Sequence, residues 1–172
     1  MAADCIKFAK PRNVVVTYGT GYHVGRDEDW ENVIANEVGA RKIGSHDYIE
    51  IGGLTFDVKH HIGGSQIPHG RFTAIARERL WNVMWHEHGE FPAAQVIVRS
   101  HVHYHAFVGG PGWLGVVTPA LQGMGSKYGA RIPSGIVDYG LLSFDIKSRE
   151  EWGWRAHLLA PSQLRQAALR IP

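Results

Sequence analysis

The chain has 172 residues, 44% of them hydrophobic, and a formal net charge of +2, a composition typical of one globular domain. This excludes an intrinsically disordered chain, and the charge is too small to indicate nucleic-acid binding. The lone Cys5 excludes an intrachain disulfide framework. We find neither an apolar run of roughly 20 residues nor the apolar stretch of a signal peptide. We therefore expect a single domain over residues 1–172, cytoplasmic and without a membrane partner.

The first quarter of the chain predicts a helix, a strand and a second helix. The opening segment, Ala2–Ala9, favours a helix, and the β-branched residues 14–16 predict a buried strand. A turn-prone glycine segment over residues 19–23 follows. Acidic residues 27–29 then open the second helix, since carboxylates stabilise the positive end of the helix dipole. Its inward face is predicted to consist of Trp30, Val33, Ile34 and Val38, with Gly39 as the stop.

The middle of the chain predicts a hairpin followed by a long helix. Residues 48–51 and Leu54–Lys59 alternate in polarity and are joined by two glycines, which favour a tight turn. A helical period then runs from Arg71 to about His88. Its predicted inward residues are Phe72, Ile75, Ala76, Leu80, Val83 and Met84. Its predicted outer residues are Arg77, Glu78 and Arg79.

The last part of the chain is mostly strand. Residues 95–98 form an apolar run, and residues 106–108 and Trp113–Val117 flank a Gly-Gly-Pro-Gly hairpin signal. Residues 136–146 and Trp152–Leu159 predict a final hairpin. The chain therefore belongs to the α/β class, with mixed and antiparallel strands.

Histidines point to a functional site, since the chain has 11 of them. His60 and His61 end one predicted strand, and His101 and His103 end another; each group adjoins a loop. Ligands commonly lie beyond the carboxyl ends of strands in α/β sheets, and imidazole binds metals and transfers protons near neutral pH. The alternatives are solvated loop residues for the first pair and an outward-facing edge strand for the second.

Other candidate segments carry weaker signals. The glycine segment ending in His23 lets a backbone approach a ligand closely, although a plain strand-to-helix turn explains it as well. It matches neither a P-loop nor a dinucleotide fingerprint. His69 and Arg71 could meet a phosphate, and a solvated helix start explains them equally well. The three tryptophans Trp30, Trp81 and Trp85 are interpreted as core or subunit contacts.

The order of these motifs resembles the calcineurin-like metallophosphoesterases, more narrowly their phage and prophage branch. Gly-Thr-x-x-His over residues 19–23, an isolated His60 and the His-x-His of residues 101–103 match the family's motifs in order, from about Val14 to Ile146. The resemblance implies part of an αββα sandwich. It also implies a phosphoester substrate, nucleotides and nucleic acids included, and a host-cell cytoplasmic location if the chain is phage-encoded.

The resemblance also assigns roles to single residues. His23 matches the histidine that protonates the leaving oxygen, and Thr20 stands where a metal-binding Asn is usual. His60, with His61 as a fallback, and His101 match ligands of the second metal, and His103 matches a ligand of the first. In this family a pair of Mn, Fe, Zn or Ni ions holds a hydroxide that attacks phosphorus.

Two of the family's motifs are absent from the sequence. Neither Asp-x-His nor Gly-Asp-x-x-Asp occurs, and together these supply the bridging carboxylate and most ligands of the first metal. The chain thus resembles the C-terminal portion of the enzyme. We expect a split or truncated metallophosphoesterase, whose missing half would come from a second chain or whose open face a homo-oligomer would cover.

Three functions therefore remain open. The first is metal-dependent phosphoester hydrolysis of a monoester or diester. The second is a non-catalytic interaction or structural protein that keeps the fold with a degenerate metal site. The third is an unrelated mononuclear zinc hydrolase that uses the same histidines.

Overall fold

The computed structural model describes residues 2–20, 29–65, 67–121 and 137–160. The elements within them follow in the order α1 (Ala2–Ala9), β1 (Val15–Thr17), α2 (Trp30–Glu37), β2 (Lys42–Gly44), β3 (His46–Ile51), β4 (Leu54–Lys59), α3 (Pro68–Glu87), β5 (Val96–Arg99), β6 (Ala106–Gly110), β7 (Trp113–Val117), β8 (Tyr139–Ile146) and β9 (Trp152–Leu159). Among these residues, no helix is both long and apolar enough to cross a membrane.

A five-stranded mixed sheet forms the centre of the described structure. Its strand order is β3-β4-β5-β7-β6, with parallel pairing from β4 through β5 to β7 and antiparallel pairing at both edges. Gly52 and Gly53 turn β3 into β4 at φ values of 57° and 82°, which glycine adopts without strain. The predicted α/β class with mixed and antiparallel strands is confirmed.

The two faces of this sheet are covered by different elements. Helix α3 covers one face, where Ile75 packs so closely that a Cβ at Gly115 would lie 2.9 Å from its Cγ1. The β8–β9 hairpin covers the other face, where Phe144 meets Phe56 edge to face at a centroid distance of 5.2 Å. Hydrophobic burial on both sides therefore makes the sheet the core that positions the strand ends.

The N-terminal elements form a smaller unit. β1 pairs in parallel with β2, and α2 starts where the Asp29 side chain accepts a hydrogen bond from Asn32 N at 3.1 Å. Asp29 thus caps the start of this helix, residues 27 and 28 of the predicted acidic start lie outside the described residues, and Gly39 follows the helix end at φ 63°. Strand β2 has only three residues and was not predicted. The predicted inward face is partly wrong, because Trp30 and Val33 are each 52% exposed.

The predicted orientation of α3 is also partly wrong. Ile75 is fully buried as expected, but other predicted inward residues are exposed: Phe72, Leu80, Val83 and Met84. Glu78, predicted to face outward, points to the sheet and pairs with Arg99. Trp81 and Trp85 are 46% and 44% exposed, so they are not core residues either. The reason is that charged partners on β4 and β5 decide which side of the helix is buried.

Candidate functional site

Three of the predicted histidines, His60, His61 and His101, meet at the ends of two neighbouring strands, whereas His103 is not grouped with them in the described part of the chain. β4 and β5 run parallel, with Lys59 opposite Arg99, so the residues that follow them leave the sheet side by side. His60 Nε2 lies 3.2 Å from His101 Nδ1, and the two ring centroids are 5.2 Å apart. The ring of His61 lies 5.0 Å from that of His101. Chain segments 41 residues apart thus converge, as the strand-end argument predicts.

The distance between His60 and His101 matches that of two ligands on one metal ion. Two nitrogens that each bind an ion at about 2.1 Å, at an angle of about 100–110°, lie about 3.2–3.4 Å apart. The observed 3.2 Å is also a hydrogen-bond distance between the two imidazoles. The pair therefore suits either a shared proton or two positions of a metal's coordination sphere.

The backbone after β5 is strained at two of the predicted metal ligands. His101 has a φ of 75° and His103 a φ of 60°, a left-handed conformation that few residues other than glycine adopt. Such strain costs about 1–3 kcal/mol per residue and is found mostly at functional sites. The turn therefore presents its histidines at a cost in stability that the surrounding contacts must offset.

Hydrogen bonds from three directions hold this turn. Ser100 N donates to His60 O at 2.9 Å, and Thr118 Oγ1 donates to Ser100 Oγ at 2.9 Å. Asp138 N donates to His103 O at 3.0 Å, while its carboxylate accepts the backbone N–H of His105 at 2.7 Å. Asp138, which the sequence does not single out, thus anchors the turn.

The structure leaves the predicted metal centre incomplete. Within the parts of the chain that the structure describes, no three or more His, Cys, Asp or Glu side chains are grouped to hold a metal ion. The predicted general acid His23 lies outside the described residues. Thr20 is described, and its buried Oγ1 has no hydrogen-bond partner among the residues that the structure describes. The donor set therefore fits part of a coordination sphere, and further ligands are needed.

A buried charge network lies one residue before the histidines. Arg99, the last residue of β5, is 1% exposed. Its Nη1 lies 2.7 Å from Asp57 Oδ1 on β4, and its Nε lies 2.8 Å from Glu78 Oε2 on α3. Nη1 also donates to the carbonyl oxygens of Asp57 and Val98, each at 2.9 Å. One guanidinium thus joins three elements beneath the site.

Two further groups, Lys59 and His46, help to set the charge state of this network. Lys59 Nζ lies 3.1 Å from Glu78 Oε2, and His46 Nε2 lies 2.9 Å from Asp57 Oδ1. Burial alone would raise the pKa of both carboxyls, but hydrogen bonds from His46 and Arg99 hold the pKa of Asp57 below its usual value. Hydrogen bonds and charge from Arg99 and Lys59 do the same for Glu78. Both carboxylates are therefore ionised at neutral pH.

Two charged residues in the sequence are a signal that could have predicted this network. Asp57 stands between Phe56 and Val58 in β4 and Arg99 ends the apolar run of β5, and a charge at such a place must be paired when it is buried. The two charges have opposite sign and stand two strand residues apart in register, which predicts a cross-strand pair.

Comparison with known proteins supports the fold. No family model matches the sequence, and no curated protein sequence matches it. Among solved structures, Vps29 of Entamoeba histolytica complexed with zinc is similar with a TM-score of 0.51 at 13% identity, over 91% of this chain and 86% of that chain. A novel archaeal phosphodiesterase is similar with a TM-score of 0.47 at 16% identity, over 88% of this chain and 74% of that one.

These comparisons bear on the architecture alone. At 13% identity the first likeness shows a shared fold, and the second, below a TM-score of 0.5, adds nothing to the argument. The alignment with Vps29 spans more of that chain than a C-terminal half would cover. That the chain is a C-terminal portion stays a prediction. The chain has the metallophosphoesterase-like fold that its histidine motifs predict.

Proposed function

We propose that this chain supplies the histidine side of a metal-dependent phosphoester hydrolase. His60 and His101 are ligands of one metal ion, and His103, which the described structure does not group with them, is assigned to the other ion. His61 is the reserve ligand, and His23 is the general acid. The observation that carries the proposal is the 3.2 Å separation between His60 Nε2 and His101 Nδ1 at adjacent strand ends.

The local structure suits this role. Neutral imidazole is a common ligand of Mn, Fe, Zn and Ni, and a bound divalent ion would polarise the phosphoryl oxygens of the ester. The chain's own contribution is to hold two ring nitrogens at a fixed separation. Arg99 and Glu78 do this from below by locking β4, β5 and α3 together.

The carboxylate ligands have to come from elsewhere. The sequence contains neither Asp-x-His nor Gly-Asp-x-x-Asp, and the described residues contain no third grouped ligand. We therefore assign the bridging carboxylate to a second polypeptide that carries these motifs. The substrate is a phosphomonoester or phosphodiester, with nucleotides and nucleic-acid ends included.

Metal titration of the full chain tests the ligand assignment. Calorimetry with Zn²⁺ and with Mn²⁺ should detect one weak site, because two or three imidazoles hold an ion less well than a complete set. His60→Ala and His101→Ala should each weaken binding by about tenfold or more. His157→Ala is the matched control, since this histidine bonds Ser143 on the exposed side of the β8–β9 hairpin. Unchanged binding in both site variants would refute the assignment.

Hydrolysis of bis-p-nitrophenyl phosphate and p-nitrophenyl phosphate tests the activity. We expect turnover only when a polypeptide carrying the two carboxylate motifs is added with Mn²⁺. Turnover should then fall in His101→Ala but not in His157→Ala. Turnover by the chain alone, at the same rate in both variants, would show that the missing carboxylates are not required.

A second candidate is a non-catalytic interaction protein. Two observations favour it: the incomplete ligand group and the exposed apolar side of α3, which includes Phe72, Leu80 and Met84. This candidate predicts no turnover under any of these conditions, and it predicts that His101→Ala folds as the wild type does.

A further inference from the structure

A second cationic group adjoins the histidine pair. The loop over residues 62–65 continues from His61 and lies against both α3 and the turn after β5. A Cβ at Gly63 would lie 3.5 Å from Arg77 Nη2, and a Cβ at Gly64 would lie 3.4 Å from Val102 Cγ1. Ser65 N donates a long hydrogen bond of 3.4 Å to Tyr104 Oη. The loop thus places the start of α3 next to the segment that carries His101.

Arg71 is held at this place with no anionic partner among the described residues. Its guanidinium carbon lies 4.4 Å above the centre of the Tyr104 ring, which is 5% exposed. Its Nε is buried and has no hydrogen-bond partner in the described chain. Its terminal nitrogens make no hydrogen bond or ion pair with a described residue either. A buried donor without a hydrogen bond costs about 1–3 kcal/mol, and an anion bound to the guanidinium would remove that cost.

Two other buried or half-buried arginines, Arg99 and Arg79, have hydrogen-bond partners. Arg99, which is more deeply buried, pairs with two carboxylates and two carbonyl oxygens. Arg79 also lies over an aromatic ring, that of Trp113, but donates to Ala94 O at 2.6 Å. An arginine that stacks on an aromatic ring in this protein can therefore still make hydrogen bonds, as Arg79 does.

The surrounding charges favour an anion. Arg71, Arg77 and the histidine pair adjoin the same loop, whereas the carboxylate of Glu78 is already paired with Arg99 and Lys59. The first turn of α3 contains no acidic residue. A rigid guanidinium next to imidazoles is suited to a phosphate, which accepts two parallel hydrogen bonds from it.

We infer that Arg71 binds the phosphoryl group of the substrate beside the histidine pair. This inference rests on the proposed function, because the anion is the phosphate group of the ester. The ligand class is a phosphate monoanion or dianion, for which the terminal nitrogens of Arg71 are the donors and the Tyr104 ring is the support. Arg71 thereby selects phosphate-bearing substrates at the metal site.

Binding of inorganic phosphate to the full chain, freed of metal with a chelator, tests this inference. Calorimetry should detect binding in the millimolar range, and the Nε–H signal of Arg71 in a ¹⁵N spectrum should shift with phosphate. Arg71→Gln should weaken binding by about tenfold or more, since one charge-assisted pair is lost. Arg155→Gln, an exposed arginine on β9, should change it by less than about twofold.

Two further variants make the outcome decisive. Arg71→Lys keeps the charge and the packing, so it should fold as the wild type does and bind phosphate with intermediate affinity. The double variant His60→Ala, His101→Ala should lose metal binding but keep phosphate binding. If the wild type binds phosphate through Arg71 but binds no metal, the proposed function is refuted and the phosphate-binding role of Arg71 stands. No phosphate binding by the wild type, or equal binding by Arg71→Gln, would overturn the inference.

Discussion

Both faces of the five-stranded sheet bury apolar side chains, but the α3 face also buries a charge network, although the same strands supply both faces. Along β4, Leu54 and Phe56 face the β8–β9 hairpin, whereas Asp57 faces α3. Along β5, Val96 faces the hairpin and Arg99 faces the helix. The alternation of side chains in a strand allows this separation without any change in backbone geometry.

The difference shows which face of the sheet fixes the relative positions of the strands and α3. The hairpin face is apolar, and an apolar face accepts several packings of similar volume. The α3 face contains charges that must find particular partners, so it allows one arrangement of β4, β5 and α3. The histidine pair follows directly from the charged positions of these strands. The face with the stricter geometry is therefore the one that supports the site.

Arg99→Ala breaks the charged face most severely. Removal of the guanidinium leaves Asp57 and Glu78 buried without their main partner, so the free energy of unfolding should fall by about 3–5 kcal/mol. Urea denaturation followed by circular dichroism measures it. Arg155→Ala, on the exposed side of β9, should change stability by at most about 0.5 kcal/mol. Equal losses in the two variants would show that the buried charges are not coupled.

The variant Glu78→Gln tests the charged face through the pH dependence of the free energy of unfolding. The lowered pKa of Glu78 means that its ionised form stabilises the fold above the ordinary value of 4.5, and that this contribution disappears as the pH falls through the folded-state pKa. At neutral pH the variant should be about 1.5–3 kcal/mol less stable, because a charged hydrogen bond is lost. The deficit should shrink on acidification below pH 4.5, measured by urea denaturation at each pH. A deficit independent of pH would contradict the network.

Phe144→Leu addresses the apolar face. The edge-to-face pair with Phe56 is lost while most of the buried area remains, so stability should fall by about 0.5–1.5 kcal/mol. Because no titratable group is involved, the loss should be the same at neutral and at acid pH. A loss that follows the pH dependence of Glu78→Gln would mean that the two faces are not independent.

The smallest expected effect concerns the phenol of Tyr48. Its pKa reports on the charged face without any loss of the buried ion pairs. Burial, followed by the charge of Asp57, raises the pKa of its phenol to about 12. The neutral phenol thus favours the folded state, and this contribution is lost only as the pH rises through that value. The absorbance difference between the wild type and Tyr48→Phe should titrate near 12. Titration near the ordinary value of about 10 would place Tyr48 in solvent.

Local patterns predicted much of the fold correctly. The paired glycines Gly52 and Gly53 predicted the first hairpin because their backbone conformation is a property of the residues themselves. The capping carboxylate Asp29 predicted the start of α2 for the same reason. The meeting of His60 and His101 was predicted from strand ends, since parallel neighbours end at the same edge.

Predictions failed where the partner lies far along the chain. Helical periodicity placed Phe72 and Leu80 inward because they are apolar, whereas Glu78 is inward because Arg99, 21 residues later, pairs with it. No window of sequence around α3 contains that information. The left-handed turn at His101 and His103 was missed for a similar reason, since Asp138 and Thr118 hold it from distant segments.

The sequence by itself determined which residue types stand at the strand ends, where the hairpins turn and that two carboxylate motifs are absent, because these follow from local chemistry. Only the tertiary structure decided that Arg99 lies buried between two carboxylates, that Arg71 rests on Tyr104 with no hydrogen-bond partner in the described part of the chain, and which side of α3 faces the sheet. The physical reason is that burial and charge pairing depend on which distant groups the folded chain brings together, and removal from water makes those pairings obligatory.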